Sequence, residues 1–561
     1  MRLGLAVPIA LIAAVLLPAP AHPATVDVSA NAFLTITGAT DAQGVGDVNG
    51  DGVADIGVMA PDLSAAYVVF GRLTRGTVDV NALGSRGFKI TPAAPDHFRD
   101  AGWPPITAAG DVNGDGRGDV LVAAPRADYN GRPESGSAYV VYGRTSTTTV
   151  DLAALGTGGF RIDGPASRAT DLVGIYQVGM AAAGGVGGDA RPDVIVSFRF
   201  VYPPTGAPSV QYGTSFVVFG GASGTVDTAN LGSSGFTIAH SGGAVAGLRD
   251  FNGDGRNDLA VARASQGDAH VVFGLGLPVN RDADALGSGG FTITDTFVNN
   301  SNGRFTYGVG WTLDNGDVNG DGRPDLVLGE QQVNSCGSCG EFRRRAAVLF
   351  GGPSGANVDI ASIGSRGFRI DNESTCTLAS PRLRGDAAVA GDVNGDVRAD
   401  VLVGRLGGGP VLLYGKAGTS TVIPNELGDA GVDLTGASPN DEFSYDGVGD
   451  QDGDLLADVA VADRTSARVY VVSLLPGAAQ QLAIIAFRVA GFGLGEPLFG
   501  QLIDRLTATR NDVTNNQKRA ACLRLAEFTQ FVASRNGSGL NGAQTFELVA
   551  SAGRVSRTLG C

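Results

Sequence analysis

Cysteine, histidine, methionine and tryptophan are scarce: 561 residues hold 5 Cys, 4 His, 3 Met and 2 Trp. Past residue 24, no stretch reaches the ~18 uninterrupted apolar residues of a membrane-spanning helix; Ile484 to Leu494 is broken by Arg488. Beyond the leader the histidines are His97, His240 and His270, which gives a histidine-based active site little to build on. There is no Gly-x-Ser-x-Gly elbow, no His-Glu-x-x-His and no phosphate loop. The formal net charge of −15 argues against nucleic acid as a partner. Between residues 30 and 475 no helical period is sustained, and short apolar runs alternate with Gly- and Asp-rich turns, the pattern of an all-β fold.

What the chain has in quantity is glycine and aspartate, arranged as a repeat. The nine-residue pattern Asp-x-Asn/Asp-Gly-Asp-x-x-x-Asp begins at Asp47, Asp111, Asp250, Asp317, Asp392 and Asp450, and a decayed copy runs from Gly185 to Asp193. Successive starts are 64, 74, 65, 67, 75 and 58 residues apart. In the second copy Asp111, Asn113 and Asp115 alternate so that their oxygens can converge, Arg117 offers its carbonyl, and Asp119 adds a carboxylate. The same roles fall to Asp47, Asn49, Asp51, Val53 and Asp55, and to Asp250, Asn252, Asp254, Arg256 and Asp258. They recur at Asp317, Asn319, Asp321, Arg323 and Asp325, at Asp392, Asn394, Asp396, Arg398 and Asp400, and at Asp450, Asp452, Asp454, Leu456 and Asp458.

An all-oxygen set without His or Cys suits Ca²⁺ and disfavours zinc, copper and iron–sulfur clusters. Asx-turns without metal are the plain alternative, but six copies in register favour about six Ca²⁺ ions. Their positive charge would offset most of the formal −15. The loops are not EF-hands, because position twelve lacks Glu and an apolar strand follows. The copy at 185–193 keeps only Asp189 and Asp193 and is expected to fold as a metal-free turn.

The flanks repeat too. A Gly-Phe-x-Ile phrase stands at Gly87 to Ile90, Gly159 to Ile162, Gly235 to Ile238, Gly290 to Ile293 and Gly367 to Ile370. A β-branched and aromatic strand ending in glycine stands at Tyr67 to Gly71, Tyr139 to Gly143, Phe216 to Gly220, His270 to Gly274, Ala347 to Gly351 and Val411 to Gly415. Each unit therefore holds four short strands, and seven units predict a seven-bladed β-propeller. The last unit lacks its Gly-Phe-x-Ile strand while Phe33 to Ile36 is a spare one, so donating the spare to the last blade would close the ring.

These units resemble FG-GAP repeats, which form the β-propeller of integrin α-subunits, and the Asp-rich loops match the calcium cages of such blades. The resemblance covers about 450 residues and implies fold and metal. It does not carry integrin-type adhesion across, since nothing resembles the other integrin parts. The chain is identified as a bacterial secreted type of this repeat protein.

Residues 1–24 read as a signal peptide, with Arg2, the apolar Leu3 to Leu17 and Ala19-Pro20-Ala21. The expected organisation is this leader, a propeller over 25–475, a linker over 476–496 and a three-helix module over 497–561. That module shows helical spacing at Leu498, Leu502, Ile503 and Leu506, at Leu523, Ala526, Phe528, Phe531 and Val532, and at Phe546, Val549, Ala552, Val555 and Leu559. Export favours a Cys522–Cys561 disulfide. Of Cys336, Cys339 and Cys376, one of the first two is placed to reach the third, leaving an odd cysteine. The mature chain is expected to be secreted or periplasmic, with no transmembrane segment after the leader.

In a propeller the loops after second and fourth strands share the face opposite the calcium loops, and the long segments fall there. Trp103, Arg99, Tyr129, Tyr202, Tyr307 and Trp311 are the candidate ligand contacts, with Glu330 and Arg345 among the further polar ones. No catalytic residues are assigned. The expected role is a binding or scaffold protein for an extracellular glycan or protein. The alternative is a propeller-type polysaccharide lyase or hydrolase using His97, Arg99, Tyr129 and Arg304.

Overall fold

The computed structural model describes residues 25–561 except 72–74, 94–97, 99–104, 166–174, 190, 202–210, 264–266, 275–278, 296–308, 332–343, 372–381, 407–408, 425, 428–429, 437–442, 454–455 and 475–477. The expected leader and Cys336, Cys339 and Cys376 lie outside the described residues.

Seven antiparallel sheets succeed one another along the chain. Blade one is Ala42–Gly46, Asp55–Met59, Ala66–Val69 and Gly87–Thr91; blade two is Ile106–Gly110, Asp119–Ala124, Ser137–Val141 and Gly159–Asp163. Blade three is Ile175–Gly184, Asp193–Val201, Gln211–Val218 and Gly235–Ala239, and blade four Val245–Arg249, Asp258–Arg263, Asp268–Val272 and Gly290–Thr294. Blade five is Val309–Gly316, Asp325–Gln331, Arg344–Leu349 and Gly367–Ile370, and blade six Arg382–Gly391, Asp400–Leu406, Val411–Leu413 and Gly431–Thr435. Blade seven takes Phe443–Gly449, Asp458–Asp463 and Arg468–Val472 from the end of the repeat and Leu34–Thr37 from its start, in the register Leu34↔Val471 to Thr37↔Arg468. The chain is a seven-bladed β-propeller, and the spare N-terminal strand closes it.

The repeated phrases now have physical causes. A Cβ on Gly87, Gly159, Gly235 or Gly367 would meet the carbonyl oxygen of the third strand at 2.0 Å or less, so only glycine fits. The phenylalanine after it packs edge-on against the aromatic that ends the third strand: Phe70–Phe88, Tyr142–Phe160, Phe273–Phe291 and Phe350–Phe368 have ring centroids 5.9–6.3 Å apart. Second strands such as Val120–Ala124 are buried on both faces because each sheet is sandwiched between two neighbours.

One recurring element lies beyond the sequence expectation. Five blades gain a short parallel strand from the following unit, at Gly76–Asp79, Val150–Asp151, Gly224–Asp227, Arg281–Asp282 and Val358–Asp359, and blade six gains Thr25–Asp27. These strands cover edges that would otherwise stay open. In the five, the terminal aspartate caps a 3₁₀ turn by accepting the N–H two residues on, as Asp79 does from Asn81.

Near the axis the inner strands pack backbone to backbone, and a Cβ on Gly44 would lie 2.6 Å from the carbonyl oxygen of Gly447. They enclose a channel of about 340 Å³ lined by Gln43, Thr107, Asp314, Asn315 and Asp446 among others. Asp446 accepts the Gly44 N–H at 3.0 Å and Asp314 the Val389 N–H at 2.7 Å, each bond crossing to the next blade.

After the propeller the chain is helical. The three expected helices are Leu498–Thr514, Lys518–Ser534 and Gly542–Leu559, and Cys522–Cys561 is a disulfide with a Cα separation of 5.7 Å. One expectation is corrected. Residues 476–496 are not a linker throughout, because Ala478–Gly491 is a fourth helix, with Leu482, Ile485 and Val489 in the shared core. Arg488 interrupts its apolar run without breaking it, since the guanidinium pairs with Glu547 at 2.9 Å. Of the residues at helical spacing, Phe528 and Val532 are buried, together with Ala521 and Leu525, whereas Leu523 and Phe546 are 61% and 69% exposed. Among the described residues no helix is long and apolar enough to cross a membrane.

Candidate functional site

All seven copies of the nine-residue pattern connect first to second strands, on one face of the ring. Their conformation is built from aspartate side chains bonding forward to backbone. Asp47 accepts the N–H groups of Gly50 at 2.7 Å and Gly52 at 2.8 Å, Asn49 that of Asp51 at 2.8 Å, and Asp51 that of Val53 at 2.9 Å. The copies at Asp111, Asp250 and Asp317 repeat this pattern.

The ninth-position aspartate has a separate task. Asp55 accepts from Val48 N–H at 2.7 Å and, through its other oxygen, from Gly71 N–H at 2.7 Å, which ties the loop to the end of the third strand. Asp119, Asp325 and Asp400 do likewise with Gly143, Gly351 and Gly415. Asp193 in the decayed copy keeps the clamp through Gly187 and Gly220, so the turn persists without the first two side chains.

Burial raises the pKa of these aspartates despite the donated N–H groups. Asp55 and Asp325 are pushed up to about 7, and Asp119 and Asp258 to about 6. In the Asp450 copy the carboxylates of Asp450, Asp452 and Asp458 bring oxygens within 4.8 Å of one another. Converging oxygens with no nitrogen or sulfur are a donor set that fits a hard cation. Asp454 lies outside the described residues, and Leu456 is buried.

The sixth position of the loops is left-handed, with φ near +87° at Gly52, Gly116 and Gly322. In the Asp392 copy it is Val397, at φ +72° and 53% exposed, a conformation that a β-branched residue avoids. Val397→Gly is therefore expected to raise stability by about 1 kcal/mol, read from the urea midpoint at unchanged slope.

Second and fourth strands end on the opposite face. Of the candidate contacts, Trp103, Arg99, Tyr202 and Tyr307 lie outside the described residues, as do His97 and Arg304. Trp311 is half-buried in the first strand of blade five, where the register shifts between Val309 and Thr312. Tyr129 is half-buried in a described loop of blade two, its hydroxyl 2.8 Å from that of Tyr139 and the Arg161 guanidinium 3.5 Å from its ring centre. Asn130 bonds Asp163 at 2.9 Å and Arg132 pairs with Asp227 at 2.7 Å, so this loop is pinned at several points.

Glu330 and Arg345 are not surface contacts. They are 2% and 5% exposed and sit with Asp295 and Asp371, 6% and 8% exposed. Arg345 reaches Asp295 at 3.3 Å and Asp371 at 3.0 Å. Burial, then the hydrogen bond that protonated Glu330 donates to Asp295, holds Glu330 well above the usual carboxylate range. Similar arginine–carboxylate pairs stand on this side in other blades, as Arg161–Asp163, Arg263–Asp268, Arg405–Asp433 and Arg464–Asp41. His270 is buried, and burial lowers its pKa, which favours the neutral ring.

The family description "FG-GAP repeat" matches residues 103–141 and 309–341, which take in the first three strands of blade two and the first two of blade five. The chain carries FG-GAP repeats. Phosphatidylinositol-glycan-specific phospholipase D of Bos taurus is 27% identical over 233 residues, 41% of this chain and 18% of that protein. The Mus musculus protein of the same name is 26% identical over 256 residues, 45% of this chain and 20% of that protein. The match thus spans about a fifth of the length of these relatives. A solved chain titled "Crystal structure of BBS1N in complex with ARL6DN, soaked with lead" shares 10% identity at a TM-score of 0.37, covering 79% of this chain and 96% of that one. That likeness is too low to carry weight.

Proposed function

We propose that this FG-GAP propeller is a secreted or periplasmic recognition module, held rigid by about six Ca²⁺ ions, that binds a glycan or protein on the face opposite its aspartate loops. The observation that carries the reading is the seven-bladed ring, in which arginine–carboxylate pairs fix the ends of second and fourth strands on the face opposite the aspartate loops. A stiff ring loses little entropy when such loops engage a partner. The full-length activity in the relatives' name is not carried over, because the match covers about a fifth of them.

Calcium would lie among the side-chain oxygens at positions one, three, five and nine and the carbonyl at seven. Its part is to neutralise carboxylates that burial and mutual repulsion otherwise disfavour. Asp47, Asn49 and Asp51 orient the loop, and Asp55 ties it to the sheet.

Arrays of glycans and extracellular proteins probed with the calcium-loaded chain are expected to return a ligand whose binding falls about tenfold or more in Tyr129→Ala. Release of unsaturated uronates or new reducing ends from acidic polysaccharides would instead favour the lyase or hydrolase alternative. A chain that neither binds nor cleaves defeats the proposal.

A further inference from the structure

At the seam of blades three and four, on the face opposite the aspartate loops, three side chains from separate segments meet. His240 follows the fourth strand of blade three, Asp282 ends the parallel strand beside it, and Asp284 sits in the 3₁₀ turn Ala283–Ala285 that Asp282 caps. His240 Nδ1 is 2.7 Å from Asp282 Oδ1 and 3.5 Å from Asp284 Oδ2. One donor atom from each residue lies within 4.8 Å of the other two, and all three residues are exposed.

The internal repeat shows that this grouping is a departure from the common scaffold. In blade seven the position of His240 is Gly38, where a Cβ would lie 2.9 Å from Asn81 Nδ2 and 3.7 Å from Oδ1 of the capping Asp79. A side chain at that position is therefore aimed at the cap and at the residue two beyond it. Across the five units with this cap, the two positions read Gly38 with Asn81, Pro92 with Ala153, Gly164 with Ala229, His240 with Asp284 and Asp295 with Ala361. Only blade three adds both an imidazole and a second carboxylate to the capping aspartate.

His240 takes this place at φ +54°, against its steric preference. The buried Ser241 secures the turn by donating to the Ile238 carbonyl at 2.7 Å and accepting from Ser215 N–H at 3.0 Å. Arg263 holds Asp268 and the Oδ1 of Asp284, leaving Oδ2 on the His240 side.

We infer that His240, Asp282 and Asp284 form a three-donor site for a divalent transition-metal ion of the zinc type, separate from the aspartate loops. One imidazole nitrogen with two carboxylates is a set such ions accept, whereas the all-oxygen loops suit hard cations. Three protein donors leave coordination positions open to solvent on the proposed recognition face.

The test is titration calorimetry with Zn²⁺ on the full chain in excess calcium, with Cys336, Cys339 and Cys376 replaced by serine to remove other soft donors. The expected result is one zinc equivalent, weakened about tenfold or more in both His240→Gly and Asp284→Asn. His240→Gly restores the residue of blade seven and relieves the left-handed strain, and a melting midpoint no lower than that of the starting protein reports that the fold is retained. Absence of zinc uptake, or uptake unaltered in His240→Gly, overturns the site. Loss in His240→Gly alone, with Asp284→Asn unaffected, also overturns it, because a single histidine then accounts for the binding.

Discussion

Stripping calcium from the chain with EDTA is expected to lower its melting midpoint by about 10 °C. An ion at tenfold excess over its Kd stabilises the folded state by about 1.4 kcal/mol per site, so six loops acting independently contribute about 8 kcal/mol. A ring of this size shifts by about 1–2 °C per kcal/mol, extrapolating from smaller domains. Asp111→Ala should remove a fraction of the calcium response, while Asp189→Ala, in the decayed copy, should leave it whole. An unchanged midpoint in EDTA would refute the metal reading.

The stripped protein should also respond to pH in a defined direction. Burial lifts Asp55 and Asp325 to about 7 and Asp119 and Asp258 to about 6, from an ordinary 3.8. In that window the folded chain holds protons that the unfolded chain releases, so stability without metal falls as pH rises from 4 toward 7. Calcium, by favouring the ionised form, should flatten that slope.

Arg345→Ala is expected to cost about 3–5 kcal/mol, because Asp295, Glu330 and Asp371 would lose the cation they surround. Denaturant unfolding of the full chain measures it. Glu330→Gln should cost much less at neutral pH, since an amide resembles the protonated acid. Glu330 is raised by burial and by Asp295, so its stabilising effect is complete below its unfolded value and is lost as pH rises through the folded one. The stability of wild type should therefore decline with pH more steeply than that of Glu330→Gln. Equal slopes would show that Glu330 does not hold the proton.

Much of the architecture was legible because it depends on local chemistry repeated at fixed intervals. Gly87-Phe88 and Phe70-Gly71 each record a steric need and an aromatic contact within one blade, and the six loops count the blades. The missing last strand and the spare Phe33 to Ile36 could be matched by counting alone. What escaped depends on partners distant in sequence or on segments too short to show a period. The two-residue strand Val150–Asp151 has no alternation to detect. Glu330 and Arg345 looked exposed because they are charged and flank a long connection, yet Arg345 finds Asp295 50 residues earlier. His240 has no carboxylate beside it in the sequence, and the one it meets stands 42 residues away.

The N-terminal arm does more than fill a vacancy. Thr25–Asp27 pairs with blade six and Leu34–Thr37 with blade seven, so one short stretch laces two adjacent sheets made from residues synthesised more than 400 positions later. This stretch must therefore wait, unpaired, until those strands exist. The circle cannot be completed while its seam is still being made, so ring closure is the last event in folding and not the first.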